Sequence, residues 1–146
     1  MALADRLLQN EGLRLTVYDD YNGKAIQPGS QVIGKPTIGI GTLICAPGGI
    51  TEAEARLLLG NRIAIATNAV IGLSTLLSQD DPRFDVLVEM SFQLGSTGLA
   101  QFVNTLQAVR EKRWNDAADG MLNSRWATQT PARAQALAAI MRSGQP

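Results

Sequence analysis

The 146-residue chain has no histidine and a single cysteine, Cys45. An intramolecular disulfide is therefore impossible, a His/Cys metal site is excluded, and so is any Ser-His or Cys-His catalytic pair. No charge of one sign prevails: 13 Lys and Arg balance 13 Asp and Glu. That argues against a dedicated nucleic-acid binder, which carries a basic excess. No apolar run approaches the roughly 20 residues of a membrane helix, so no stable membrane insertion is expected. The first ten residues include Asp5 and Arg6 and lack the apolar stretch and small-residue cleavage site of a secretory signal. Any chemistry must come from carboxylates, hydroxyls, amides, Lys or Arg, with neither metal nor cofactor.

What is present describes one globular domain. Apolar residues make up 45% and charged residues 18% of the chain, a balance that builds a core rather than a disordered tail. The last part is mildly basic: Arg110, Lys112, Arg113, Arg125, Arg133 and Arg142 stand against Glu111, Asp116 and Asp119. This suits an anionic polymer or an ordinary solvated helical surface. Leu3, Leu7 and Glu11 recur four apart and predict a helix over 2–11 closed by Gly12. Alternation over 13–18 predicts a half-buried strand with Leu13, Leu15 and Val17 inward, and 37–42 a second strand. Thr51 and Glu54 form a capping box that starts a long, mostly buried helix to about residue 71. Further helices are predicted from Asp81-Pro82 up to breaks at Gly95 and Gly98, then over 99–111, 114–122 and 131–142. A small antiparallel sheet followed by a run of helices is an α+β fold, mainly helical.

Three positions near the start combine into possible chemistry. Glu11 continues the Leu3/Leu7 face at a helix C-terminus. Burial and the helix dipole both disfavour its charged form, as a general acid requires. The same position also suits a Glu turned sideways to solvent. Asp19 and Asp20 close the first strand, Asp19 on the Leu13/Leu15/Val17 face and Asp20 on the Arg14/Thr16/Tyr18 face. Two acids there are ordinary turn formers, yet an ionised carboxylate near a protonated one is what glycoside hydrolysis needs. Thr37 could hold a water across the hairpin from Asp20, or serve only as a good strand residue. Arg133, at the start of the last helix, is either a cation for a buried Glu or a surface residue.

Taken together, Glu11-Gly12-Leu13-Arg14-Leu15, Tyr18-Asp19-Asp20, Gly23 and Thr37-Ile38-Gly39-Ile40-Gly41 resemble the active-site signature of the phage-type lysozymes (endolysins) of glycoside hydrolase family 24, especially the T-even bacteriophage type. Phe92-Gln93-Leu94-Gly95, Lys112-Arg113-Trp114, Asn123-Ser124-Arg125-Trp126 and Gln129-Thr130-Pro131 resemble the helical part of the same family. The resemblance spans nearly the whole chain. It implies a single lysozyme-like domain with a sheet lobe over about 13–50, a connecting helix over about 51–71, and a helical lobe of about 72–146 plus the helix 1–11. It implies hydrolysis of the β-1,4 bond between N-acetylmuramic acid and N-acetylglucosamine in peptidoglycan. By position, Glu11 matches the general acid, Asp20 the second carboxylate, Thr37 the residue holding the attacking water, and Arg133 the cation beside the acid. Leu43, Phe92, Gln93 and Thr105 fall at substrate-binding positions. The chain departs from the family in a longer 24–36 loop, in Thr42 where many relatives have His, and in an altered stretch before Asp81.

The resemblance favours inversion, for which the two carboxyl groups stand ~6.5–9.5 Å apart. Rival readings are a lytic transglycosylase, which needs only the Glu, and a non-catalytic peptidoglycan-binding module of a virion. The expected setting is a monomer held in the host cytoplasm until a separate protein permeabilises the membrane and the enzyme reaches the wall.

Overall fold

A computed structural model describes residues 3–146, without the side chains of Arg6 and Glu11. In chain order its elements are α1 (Leu3–Glu11), β1 (Arg14–Asp19), β2 (Pro36–Gly39), β3 (Thr42–Leu43), α2 (Glu52–Gly72), α3 (Pro82–Ala100), α4 (Val103–Arg110), α5 (Trp114–Leu122), α6 (Arg125–Gln129) and α7 (Pro131–Ser143). They fall into two compact units, Met1–Arg56 and Leu57–Pro146. The dividing point lies within α2, and α1 belongs to the same unit as the sheet.

In the first unit, α1 stops where Gly12, at φ +73°, donates its N–H to Leu8 O at 3.0 Å, the left-handed helix ending glycine favours. β1, β2 and β3 form an antiparallel sheet in that order. Tyr18 pairs with Thr37, Asp19 with Pro36, and Thr37 with Leu43. The expected single strand over 37–42 is instead two strands folded on each other, because Gly39 and Gly41 both adopt positive φ, +71° and +75°, and turn the chain. The register of β1 shifts between Arg14 and Tyr18. That irregularity breaks the alternation read from the sequence: Leu15 is 80% exposed and Leu13 is exposed too. Leu3 and Leu7 of α1 are likewise exposed rather than packed. The buried residues of this unit, among those described, are the polar pair Asp19 and Thr37. Hydrogen bonding, not apolar packing, organises it.

The second unit holds the hydrophobic core. Leu87, Met90, Leu99, Val109, Met121 and Met141 are fully buried, drawn from α3, α4, α5 and α7. The capping box at Thr51 forms as predicted: Glu54 N–H donates to Thr51 Oγ1 at 3.2 Å and Thr51 N–H to Glu54 Oε2 at 2.7 Å. α2 is not mostly buried, however. Only Ala66 and Val70, four apart and so on one face, are buried. Apolar residues surround this helix on all sides, and one packed face leaves Leu57, Leu58 and Ile65 exposed. α3 starts at the N-cap Asp81, whose carboxylate accepts from Arg83 N–H. It breaks at Gly95 (φ +75°, ψ 164°), then resumes through Gly98, which does not interrupt it. The predicted helix over 99–111 begins only at Val103, since the 99–100 turn still belongs to α3. Arg83 ties the start of α3 to the end of α7, donating Nε–H to Met141 O at 2.8 Å while its guanidinium stacks over Trp114. No helix among the described residues is long and apolar enough to cross a membrane.

Candidate active site

The candidate residues gather in two groups, one in each unit. In the first, β1 delivers Asp19 and Asp20 to the mouth of the 20–35 excursion. Asp20 is exposed, and its Oδ1 accepts a hydrogen bond from Lys35 N–H at 2.6 Å. Asp20 N–H donates to Lys35 O at 3.1 Å, and Thr37 Oγ1 donates to that same carbonyl at 3.1 Å. A single residue's backbone, that of Lys35, therefore carries both Asp20 and Thr37. Thr37 is buried, 5% exposed, and pairs with half-buried Leu43 on β3.

Asp19 faces the other way. It is 2% exposed, and its carboxylate accepts from Tyr21 N–H at 3.0 Å, Ile33 N–H at 2.7 Å and Gly34 N–H at 2.9 Å, with Asn22 Nδ2 at 3.4 Å. The Ile33 bond above all, then those from Tyr21 and Gly34, holds its carboxyl below the usual aspartate range, against the opposing effect of burial. Gly34 is required here: a Cβ would lie 2.2 Å from Asp20 Oδ1 and 2.5 Å from Asp19 Oδ1. Arg14 braces the start of the loop, donating to Gly23 O at 2.7 Å with its guanidinium over the Tyr18 ring.

In the second group, Gln93 Oε1 on α3 accepts from Trp126 Nε1 at 2.9 Å and from Arg133 Nη1 at 3.3 Å. Trp126 is buried and meets Phe102 edge to face. Phe92, half exposed, lines a cavity of about 330 Å³ with Arg62, Ile65 and Ser96. Thr105 lines a separate cavity of about 670 Å³ with Asn104, Asn123, Arg125 and Trp126. Thr105 is itself buried, and a Cβ on Gly120 would lie 2.5 Å from its Oγ1.

A family model described as phage lysozyme matches residues 8–142. The chain belongs to the phage lysozyme family. It is accordingly a glycoside hydrolase with a mainly helical α+β fold. It is 28% identical to probable T4-type lysozyme 2 of Dictyostelium discoideum over 98% of this chain and 95% of that one. It is also 30% identical to the pre-baseplate central spike protein Gp5 of Enterobacteria phage T4, over 99% of this chain and 28% of the spike protein. Peptidoglycan hydrolase gp36 of Pseudomonas phage phiKMV is 30% identical over 89% of this chain and 14% of its own length. The chain thus spans nearly all of the first relative and a minor part of the other two.

Within this family member, the structure joins Asp20, Thr37 and Leu43 in one group, and Gln93 with Arg133 in the other. Phe92 and Thr105 line different cavities. Glu11 ends α1, and its side chain lies outside the described residues, as does any pairing with Arg133. By residue type Asp19 is only a turn former, although the expected inward face of β1 carries a signal for its burial. The Lys35 backbone has no such signal, because a backbone contact is not written in side-chain pattern. Trp126 enters the sequence reading only as part of a motif.

Proposed function

We propose that this lysozyme-family chain is a muramidase. It cleaves the β-1,4 bond between N-acetylmuramic acid and N-acetylglucosamine in peptidoglycan, with inversion, during host cell lysis. The observation that carries this reading is the Lys35 backbone, which joins an exposed Asp20 carboxylate to the Thr37 hydroxyl. A carboxylate exposed to solvent and held in place by the Lys35 N–H is suited to stabilising an oxocarbenium-like transition state and activating water. Thr37 commits its proton to Lys35 O, so its lone pairs accept from that water. In this reading Glu11 protonates the leaving oxygen and Arg133 has a supporting role. Leu43, Phe92, Gln93 and Thr105 contact the sugars. We further propose a single lysozyme-like domain, a monomeric state, and retention in the host cytoplasm until the membrane is permeabilised. One relative named a peptidoglycan hydrolase supports the substrate. The likeness to a phage spike protein favours a second reading, the same catalytic domain working as part of a virion.

The test is digestion of Gram-negative sacculi with mass spectrometry of the released muropeptides. Products ending in reducing N-acetylmuramic acid are expected, and the anomer first released, followed by NMR, should be inverted. Products lighter by one water would mean transglycosylation. Glu11→Gln should abolish release while leaving the melting temperature unchanged; a fully active variant would end the acid assignment.

A further inference from the structure

Asp19 and Asp20 are adjacent, yet their carboxylates do different work. The Asp20 carboxylate meets one backbone amide, whereas Asp19 gathers three, two of them 14 and 15 residues further along the chain. Asp19 therefore closes the 20–35 excursion from inside. Its own backbone joins in, with Gly23 N–H donating to Asp19 O at 2.8 Å and Asp19 N–H to Lys24 O at 2.9 Å. The Ile33 and Gly34 amides that it holds lead directly into Lys35, whose N–H and C=O are the partners of Asp20 and Thr37. Gly34 packs so closely on both carboxylates that no side chain fits between them.

We propose that Asp19 is a positioning residue: by holding the Ile33 and Gly34 amides it sets the Lys35 backbone, which in turn orients the Asp20 carboxylate and the Thr37 hydroxyl. The proposal rests on the reading that Asp20 and Thr37 act on the glycosidic bond. An amide at position 19 keeps the size but replaces one acceptor oxygen by a donor. In whichever orientation the amide is seated, its NH₂ then faces a backbone N–H that had been bonded. The Lys35 backbone loses its fixed position, and a shift of about 1 Å in a reacting group costs on the order of 100-fold in rate.

The experiment measures kcat and KM on soluble uncross-linked glycan strands, well below the melting temperature, for Asp19→Asn, Asp20→Asn and the double variant. Asp19→Asn should lower kcat about 10- to 100-fold with KM changed less than about 2-fold. Added to Asp20→Asn it should cost less than it does alone, since one of the two groups it positions is already gone. Wild-type kcat in Asp19→Asn beside an inactive Asp20→Asn overturns this inference and leaves the proposed function standing. So does a full, additive loss in the double variant. A fully active Asp20→Asn removes the site reading itself and this inference with it. Should Asp19→Asn fail to fold, Gly34→Ala probes the same clamp from the other side. It should reproduce the kcat loss with KM kept, and wild-type turnover in that variant overturns the proposal.

Discussion

Two neighbouring aspartates show how much of this site is decided by single residues. Both are acids at the end of one strand, and the sequence distinguishes them only by the face that alternation assigns. The burial of Asp19 follows the sense of that alternation even though the β1 register shift leaves Leu13 and Leu15 exposed. Its depressed carboxyl has a consequence for stability. A group whose folded value lies below the unfolded one, 3.8 for this aspartate, contributes fully above the unfolded value and loses its contribution as pH falls through the folded one. Wild-type protein should therefore be more heat-stable than Asp19→Asn at pH 7, and the gap should narrow as the medium is acidified below the unfolded value. Melting temperatures of the two proteins across that range check this; a gap that stays constant would mean that the Asp19 carboxylate is not held ionised by the loop amides. Glu11, Asp20, Thr37 and Arg133 are legible as side chains in a family pattern, whereas the amides that orient Asp20 are not. A backbone donor has the same chemistry at every position, and only the folded chain selects which one is used.

At the scale of elements, end signals are more legible than interiors. Thr51 with Glu54, and Asp81 before Pro82, start their helices through side-chain bonds that neighbours in sequence supply. α6 leaves no such trace in the periodicity, although Ser124 caps it in the same way, accepting from Ala127 N–H at 3.1 Å. A helix of 5 residues is too short to show a repeat. The break in α3 falls at Gly95, where the sequence places it, and its backbone gives a second prediction. Gly95 adopts φ +75° and ψ 164°, and a Cβ there would meet nothing within 4 Å. Alanine therefore finds no clash, but a conformation that is essentially reserved for glycine. Gly95→Ala should cost about 1–3 kcal/mol, read as a lower urea midpoint with an unchanged slope. Unchanged stability would show that α3 straightens through residue 95 at little cost.

Across the whole molecule, burial is divided unequally. Every buried apolar side chain among those described lies at residue 66 or beyond, while the buried side chains of the first unit are Asp19 and Thr37. Regions with few buried apolar contacts open more readily. Amides of β1 and β2 should therefore exchange with deuterium faster than those of α3, α5 and α7, and equal protection in both units would contradict this division. Residue type and near-neighbour spacing are enough to specify the fold class, the order of sheet and helices, the caps and the family, because each acts over one or two turns of chain. Folding alone gathers the Ile33 and Gly34 amides on the Asp19 carboxylate and brings Asp20 and Thr37 to the same Lys35 backbone. Those outcomes depend on bonds between residues about 15 apart, whose geometry exists only once the intervening loop has closed.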